Sequence, residues 1–128
     1  MTEGLADTSL FIVRETGRPI NREHAPESLA VSVITAAELR AGVLVAVDLS
    51  TRARRLATFE YVSGLDLLPV DALVAEAWAI LRVALRDANR RMKANDAWIA
   101  ATAMAYHIPV VTQAEDFDDV PGLEVIRV

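Results

Sequence analysis

The chain has 128 residues, enough for one well-buried core and too few for two, so residues 1–128 read as a single domain. Apolar residues make up 53% and charged residues 24%, a globular balance that excludes disorder and, without an internal repeat, a solenoid. The absence of cysteine excludes disulfides and thiolate metal sites, and a formal net charge of −5 argues against a broad basic surface for nucleic acid.

The N-terminus carries Glu3 and Asp7 in place of a basic stretch leading into an apolar run. No segment approaches the ~18 apolar residues of a membrane helix, so the expected location is cytoplasmic, with no membrane partner. "GLAD", Gly4 to Asp7, reads as a short strand closed by an acid, and "TSLFIVRE" as a helix begun at Thr8 or Ser9 with Leu10, Phe11 and Val13 inward. "TGRPINREHAPES" is a loop by its Gly17, Pro19 and Pro26. "LAVSV", Leu29 to Val33, is a second strand, followed by the helix "ITAAELRAGVLVAV".

Ser50 is the expected cap of a third helix that buries Ala53, Leu56, Ala57 and Phe59 and stops at Gly64. "DLLPV" is a short extended piece. Asp71 opens the longest helix, with an apolar stripe of Leu73, Ala77, Trp78, Leu81 and Leu85. Asn95 or Asp96 starts the last helix, which Pro109 ends near His107. "PVVT" and "LEVIRV" are the last strands, separated by the acidic turn "QAEDFDDVPG". Short apolar strands alternating with helices imply an α/β fold, a doubly wound, mainly parallel sheet with helices on both faces.

Ligands in such sheets bind beyond the carboxyl ends of the strands, where the strand order reverses. Four acids hold positions of that kind: Asp7 after the first strand, Glu38 early in the second helix, Asp96 at a helix start and Asp116 after "PVVT". If they converge, their mutual repulsion calls for a cation, and oxygen-only ligands suit magnesium or manganese. A carboxylate-held divalent ion activates water and stabilises charge on a phosphate, which makes phosphodiester hydrolysis the indicated chemistry.

"ADTSLFI", "VITAAELRAG", "NDAWIAATA" and "VVTQAEDFDDVPGLEVIRV" together resemble the PIN-domain ribonucleases, in particular the VapC toxins of bacterial toxin-antitoxin pairs. The resemblance runs in order from Leu5 to the C-terminus. It implies a magnesium-dependent endoribonuclease (Mn²⁺ being the alternative ion), an RNA substrate, a homodimer and a VapB-like antitoxin partner. On this resemblance Asp7, Glu38 and Asp96 match the family's metal-binding acids. Related chains often carry an acid or Asn two residues after the threonine of the fourth strand; here that position is Ala114, so Asp116 or Glu115 stands in. The Ser9 and Thr112 hydroxyls and the Asn95 amide are candidates for orienting the acids by hydrogen bonds. Ala114 also keeps open a second reading, a catalytically impaired module of the same fold that docks a partner through its acidic cleft.

Arg82, Arg86 and Arg90 recur at helical spacing opposite the apolar stripe, with Arg91 and Lys93 beyond. They read either as a solvated face or as an RNA-backbone track toward Asp96; Arg14, Arg90, Arg91 and Lys93 are the candidate RNA contacts. Trp78 and Trp98 are expected in the core, and His107 as a helix-end residue.

Overall fold

A computed structural model describes residues 2–128. The elements run β1 (Glu3–Ala6), α1 (Thr8–Thr16), β2 (Ser28–Ser32), α2 (Val33–Val45), α3 (Leu49–Ser63), β3 (Leu67–Leu68), α4 (Ala72–Asp87), α5 (Ala94–Ala105), β4 (Val110–Thr112) and β5 (Val125–Arg127). All strand pairs are parallel, in the order β3-β2-β1-β4-β5. The chain winds outward from β1 through β2 to β3, then returns to the other side of β1 for β4 and β5. The order therefore reverses between β1 and β4, where Leu5 pairs with Val110 and Ala6 with Val111.

Alternation along these strands divides the core in two. Leu5 and Val110 point to the face covered by α4 and α5, where Leu81, Leu85, Ile99 and Ala103 pack. Ala6 and Val111 point to the opposite face, against Leu10 and Phe11 of α1, Leu39 of α2 and Val62 of α3. The central strand leaves no room at Gly4: a Cβ there would lie 2.5 Å from Val111 Cγ2 and 2.9 Å from Pro26 Cγ.

Helix ends are set by backbone geometry as much as by side chains. Gly17, Asn89 and His107 follow α1, α4 and α5 at φ of 75°, 53° and 56°. In each case two successive N–H groups return to carbonyls of the last turn, as in Arg90 N to Leu85 O at 2.9 Å and Ile108 N to Ala103 O at 3.0 Å. Asn and His here hold a left-handed position that usually favours glycine.

Several sequence expectations need correction. Asp48, not Ser50, caps α3, because its carboxylate accepts from both the Thr51 N–H and the Thr51 hydroxyl at 2.8 Å. Ala53, Leu56 and Ala57 are exposed: α3 packs through Phe59 and the fully buried Val62, and its orientation is fixed by Arg54 on Glu15 and Arg55 on the Gly42 carbonyl. On α4 the exposed Leu73 gives its place in the stripe to Val74, whose N–H is the one capped by Asp71. Helix α5 begins at Ala94 with Lys93 in the cap position, so Asn95 and Asp96 lie inside the first turn and neither caps it. The acidic turn after β4 hides Phe117, fully buried, which contributes about 1.5–3 kcal/mol of apolar burial and anchors the segment to the α4–α5 face.

Candidate active site

The site forms beyond the carboxyl ends of β1 and β4, at the reversal in strand order. Asp7 follows β1 directly and is 4% exposed. It occupies the cap position of α1 without accepting a capping bond. Its Oδ1 instead accepts from the Ser9 hydroxyl at 2.7 Å, and Ser9 Oγ lies 3.2 Å from the Thr112 hydroxyl at the end of β4. The Gln113 N–H donates to Ser9 Oγ at 3.1 Å and the Ala114 N–H to Thr112 Oγ1 at 2.9 Å. The two central strand ends are thus laced together around the buried carboxylate.

Glu38 projects from α2, where its Oε1 accepts from the Thr8 hydroxyl at 2.8 Å. Thr8 Oγ1 also lies 3.1 Å from the hydroxyl of Thr35, which is fully buried. Thr8 and Thr35 were not among the residues expected from sequence. The usable signal was position: Thr8 follows Asp7 directly, and Thr35 precedes Glu38 by three residues on the same helix face.

Asp96 is half-buried in the first turn of α5. Burial first, and then the charges of Asp116, Glu38 and Asp7, push its carboxyl up to about 6, while Lys93 works in the other direction. Asp7 is raised as well, above all by burial and further by Asp116, while the Ser9 and Thr112 hydroxyls offset part of the rise. The structure therefore brings all four acids into one electrostatic neighbourhood, with Asp116 exposed on the loop after β4.

Among the described residues no three carboxylates stand close enough together to form a ready cation cage. What fits a hard divalent ion is the donor chemistry: only oxygens, from acids whose mutual repulsion Lys93 offsets only in part.

The other sequence candidates have varied placements. Ser9 and Thr112 lie on Asp7, as above. Asn95 is exposed beside Ile34, Ala37 and Glu38 around a shallow depression and takes no part in the hydrogen bonds at Asp7. Arg14 lies 3.7 Å over the Tyr61 ring, joining α1 to α3. Arg90 donates to the carbonyl oxygens of Asp116 and Asp118, both at 3.0 Å, and so clamps the loop that carries the fourth acid. Arg91 and Lys93 are exposed. His107 lies exposed in the left-handed turn after α5, away from any catalytic geometry. A groove of about 400 Å³ opens between α1, α2 and α3, walled by Ile12, Leu39, Arg54 and Arg55 and reaching Thr8 and Glu38.

The PIN domain family model matches residues 5–123. Ribonuclease VapC5 of Mycobacterium tuberculosis is 46% identical over 128 residues, covering 98% of this chain and 95% of the relative. Ribonuclease VapC4 of the same organism is 44% identical over 124 residues, covering 97% and 95%. A solved structure of VapBC-5, a member of the VapBC family of toxin-antitoxin systems from Mycobacterium tuberculosis, superposes with a TM-score of 0.92 at 43% identity over 100% of both chains.

Proposed function

The chain belongs to the PIN-domain family, among the VapC ribonucleases, and from that premise we propose that it is the toxin of a type II toxin-antitoxin pair, a magnesium-dependent endoribonuclease whose metal-binding acids are Asp7, Glu38, Asp96 and Asp116. Divalent-metal dependence is general in the family; Mg²⁺, with Mn²⁺ as a substitute, is our assignment on the all-oxygen donor set. The observation that carries the reading is the buried Asp7 at the β1–β4 reversal, held by the Ser9 hydroxyl, with Asp96 lifted to about 6 by burial and by the charges of Asp116, Glu38 and Asp7.

When bound there, a divalent cation supplies a water of lowered pKa and Lewis-acid stabilisation of charge on the phosphate. The protein supplies orientation. Ser9 fixes the rotamer of Asp7, and Thr8 fixes that of Glu38, so two donors are set before any ligand arrives. Asp96, with a carboxyl near 6, is largely ionised at neutral pH and so is open to a cation without a proton first having to be displaced. Thr112 ties β4 to this assembly, and Arg90 holds the loop that presents Asp116.

A toxin needs restraint, and the proposed partner is a VapB-like antitoxin; a second copy of the chain is the other proposed partner, in the cytoplasm. Two apolar areas support partner binding: the α2–α3 corner with Leu44, Val45, Val47 and Leu49, and the outer face of α4 with Leu73, Ile80 and Val83, all exposed. No described helix is long and apolar enough to cross a membrane.

Cleavage-site mapping on total cellular RNA tests the reading. Wild type should cut in the presence of Mg²⁺, and Asp7→Asn and Asp96→Asn should each remove every cut while leaving the fold intact. Cuts retained by either variant would overturn the assignment, and metal-independent silence of the wild type on all RNA would favour the partner-docking module instead.

A further inference from the structure

We propose that a depression at the carboxyl end of α4, walled by Arg82, Arg86, Arg90 and Arg91, holds backbone phosphates of the same single-stranded RNA whose scissile phosphate lies at the acid cluster. This rests on the ribonuclease reading above and extends it to how the strand is held.

The depression has a volume of about 350 Å³, with Leu85 and Met92 beneath the four arginines. A third of the arginines of a chain with net charge −5 thus surround one concavity. Guanidinium groups present a planar fork of donors that matches phosphate oxygens in pairs. These groups retain spare donors. Among the described residues the ion pairs are Arg54–Glu15, Arg86–Asp87 and Arg127–Asp118, so within the depression only Arg86 meets a carboxylate. That pair is 3.3 Å long between two strongly exposed side chains, a contact of little strength.

Two walls are ordered in advance. Arg82 lies 5.3 Å over Trp78, and Trp78 stacks on Trp98 with ring centroids 4.9 Å apart and planes 15° from parallel. Arg90 is fixed by the carbonyls of Asp116 and Asp118. The second of these contacts decides the ligand. The loop that Arg90 grips carries Asp116 and follows β4, whose last residue, Thr112, is joined to Asp7 through the Ser9 hydroxyl. Arg90 therefore belongs both to the cationic depression and to the support of the loop that carries the fourth acid. Four carboxylates repel a polyanion, and a neighbouring site that neutralises adjacent phosphates is what such a cluster needs to retain a strand. An acidic peptide could satisfy the arginines, but it gains nothing from continuity with the acids.

Anisotropy titrations of a fluorescein-labelled oligouridylate, in EDTA so that nothing is cut, test this with wild type, the double variant Arg86→Gln/Arg91→Gln and the single variant Asp87→Asn. The double variant, melting as the wild type does, should bind about tenfold or more weakly, with the slope of log affinity against log salt shallower by about 1.4 for two lost single-strand phosphate contacts. Asp87→Asn, which frees Arg86, should bind more tightly. Unchanged affinity and slope in the double variant would overturn the proposal, as would polyglutamate competing with wild type as strongly as unlabelled RNA. Metal-dependent cleavage by wild type, assayed in parallel, separates the two readings. If wild type cuts RNA and the double variant binds it normally, the depression alone is wrong; if wild type binds no RNA, both fall.

Discussion

The Thr8 hydroxyl donates to Glu38 Oε1 at 2.8 Å, joining the first turn of α1 to α2 across 30 positions of sequence. Because Thr8 follows Asp7, the same helix start that presents one acid also orients a second. Thr8→Val keeps the shape and removes the donor. We expect roughly tenfold weaker Mn²⁺ binding by calorimetry and a smaller loss of turnover at saturating metal, with about 1 kcal/mol off the folding stability. Unchanged Mn²⁺ affinity would show that Glu38 needs no such support.

The raised carboxyl of Asp96 makes two pH effects run in opposite directions. Its folded pKa is about 6 against an ordinary 3.8, so between these values the folded chain keeps a proton that the unfolded chain has released. Metal-free stability should therefore be greatest at the acid end of that window and fall as pH rises through it. The loss is of the order of 1 kcal/mol once solvent screening of this half-buried group is allowed for. Metal binding has the opposite sign, since below about pH 6 a cation must displace the proton. Melting curves in EDTA should thus shift down from pH 4 to about 7 while metal-dependent cleavage rises, and Asp96→Asn should make the first shallower, leaving the part due to the raised Asp7 carboxyl, and abolish the second. A metal-free melting temperature that climbs through this window in the wild type would contradict the assigned origin of the shift.

Much of this was legible in the sequence, for reasons that differ by element. Asp7 and Asp96 stand out because α/β alternation places acids at strand ends and helix starts along one edge of the sheet, where a capping role and a ligand role are compatible. Strands β4 and β5 were readable from their β-branched runs, and β1 and β2 from short apolar segments placed directly before a helix. What stayed hidden depends on tertiary packing. Helix α3 carries Leu56 and Ala57 at core-like spacing, yet those residues face solvent, because Arg54 and Arg55 lock the helix to α1 and α2 in another rotation. Phe117, among five acids in "QAEDFDDVPGLE", carries no periodicity to mark it as buried. Arg90 looked like a free cation because its partners are backbone carbonyls, which no pattern of side chains reveals.

Gly4 offers a test of the frame independent of chemistry. It sits in the central strand, where a Cβ would stand 2.5 Å from Val111 Cγ2 and 2.9 Å from Pro26 Cγ. Val111 pairs beside β1 and is itself buried, so it cannot move aside without disturbing the α1 face of the core. Gly4→Ala should cost about 1–3 kcal/mol in denaturant unfolding. The more informative readout is function, because Asp7 follows β1 directly: the variant should lose metal affinity in proportion as the strand end shifts. A Gly4→Ala protein as stable as wild type would mean that β1 and β4 are packed less tightly than described.

Asp116 differs from the other three acids in being exposed and mounted on a loop, and the distinction predicts a graded result. It is the largest of the carboxylate charges acting on Asp96, second only to burial, and it also acts on Asp7. Asp116→Asn removes that repulsion without touching the hydrogen bonds of the loop backbone to Arg90, since those use carbonyl oxygens. The Asp96 carboxyl should therefore titrate lower than about 6, readable from its carboxyl carbon resonance, and the acid limb of the cleavage profile should move the same way. Turnover should fall, but by less than in Asp96→Asn, because three acids remain to hold the ion. If Asp116→Asn leaves the Asp96 titration where it was, the loop acid does not face the cluster, and Glu115 becomes the residue to test opposite Ala114.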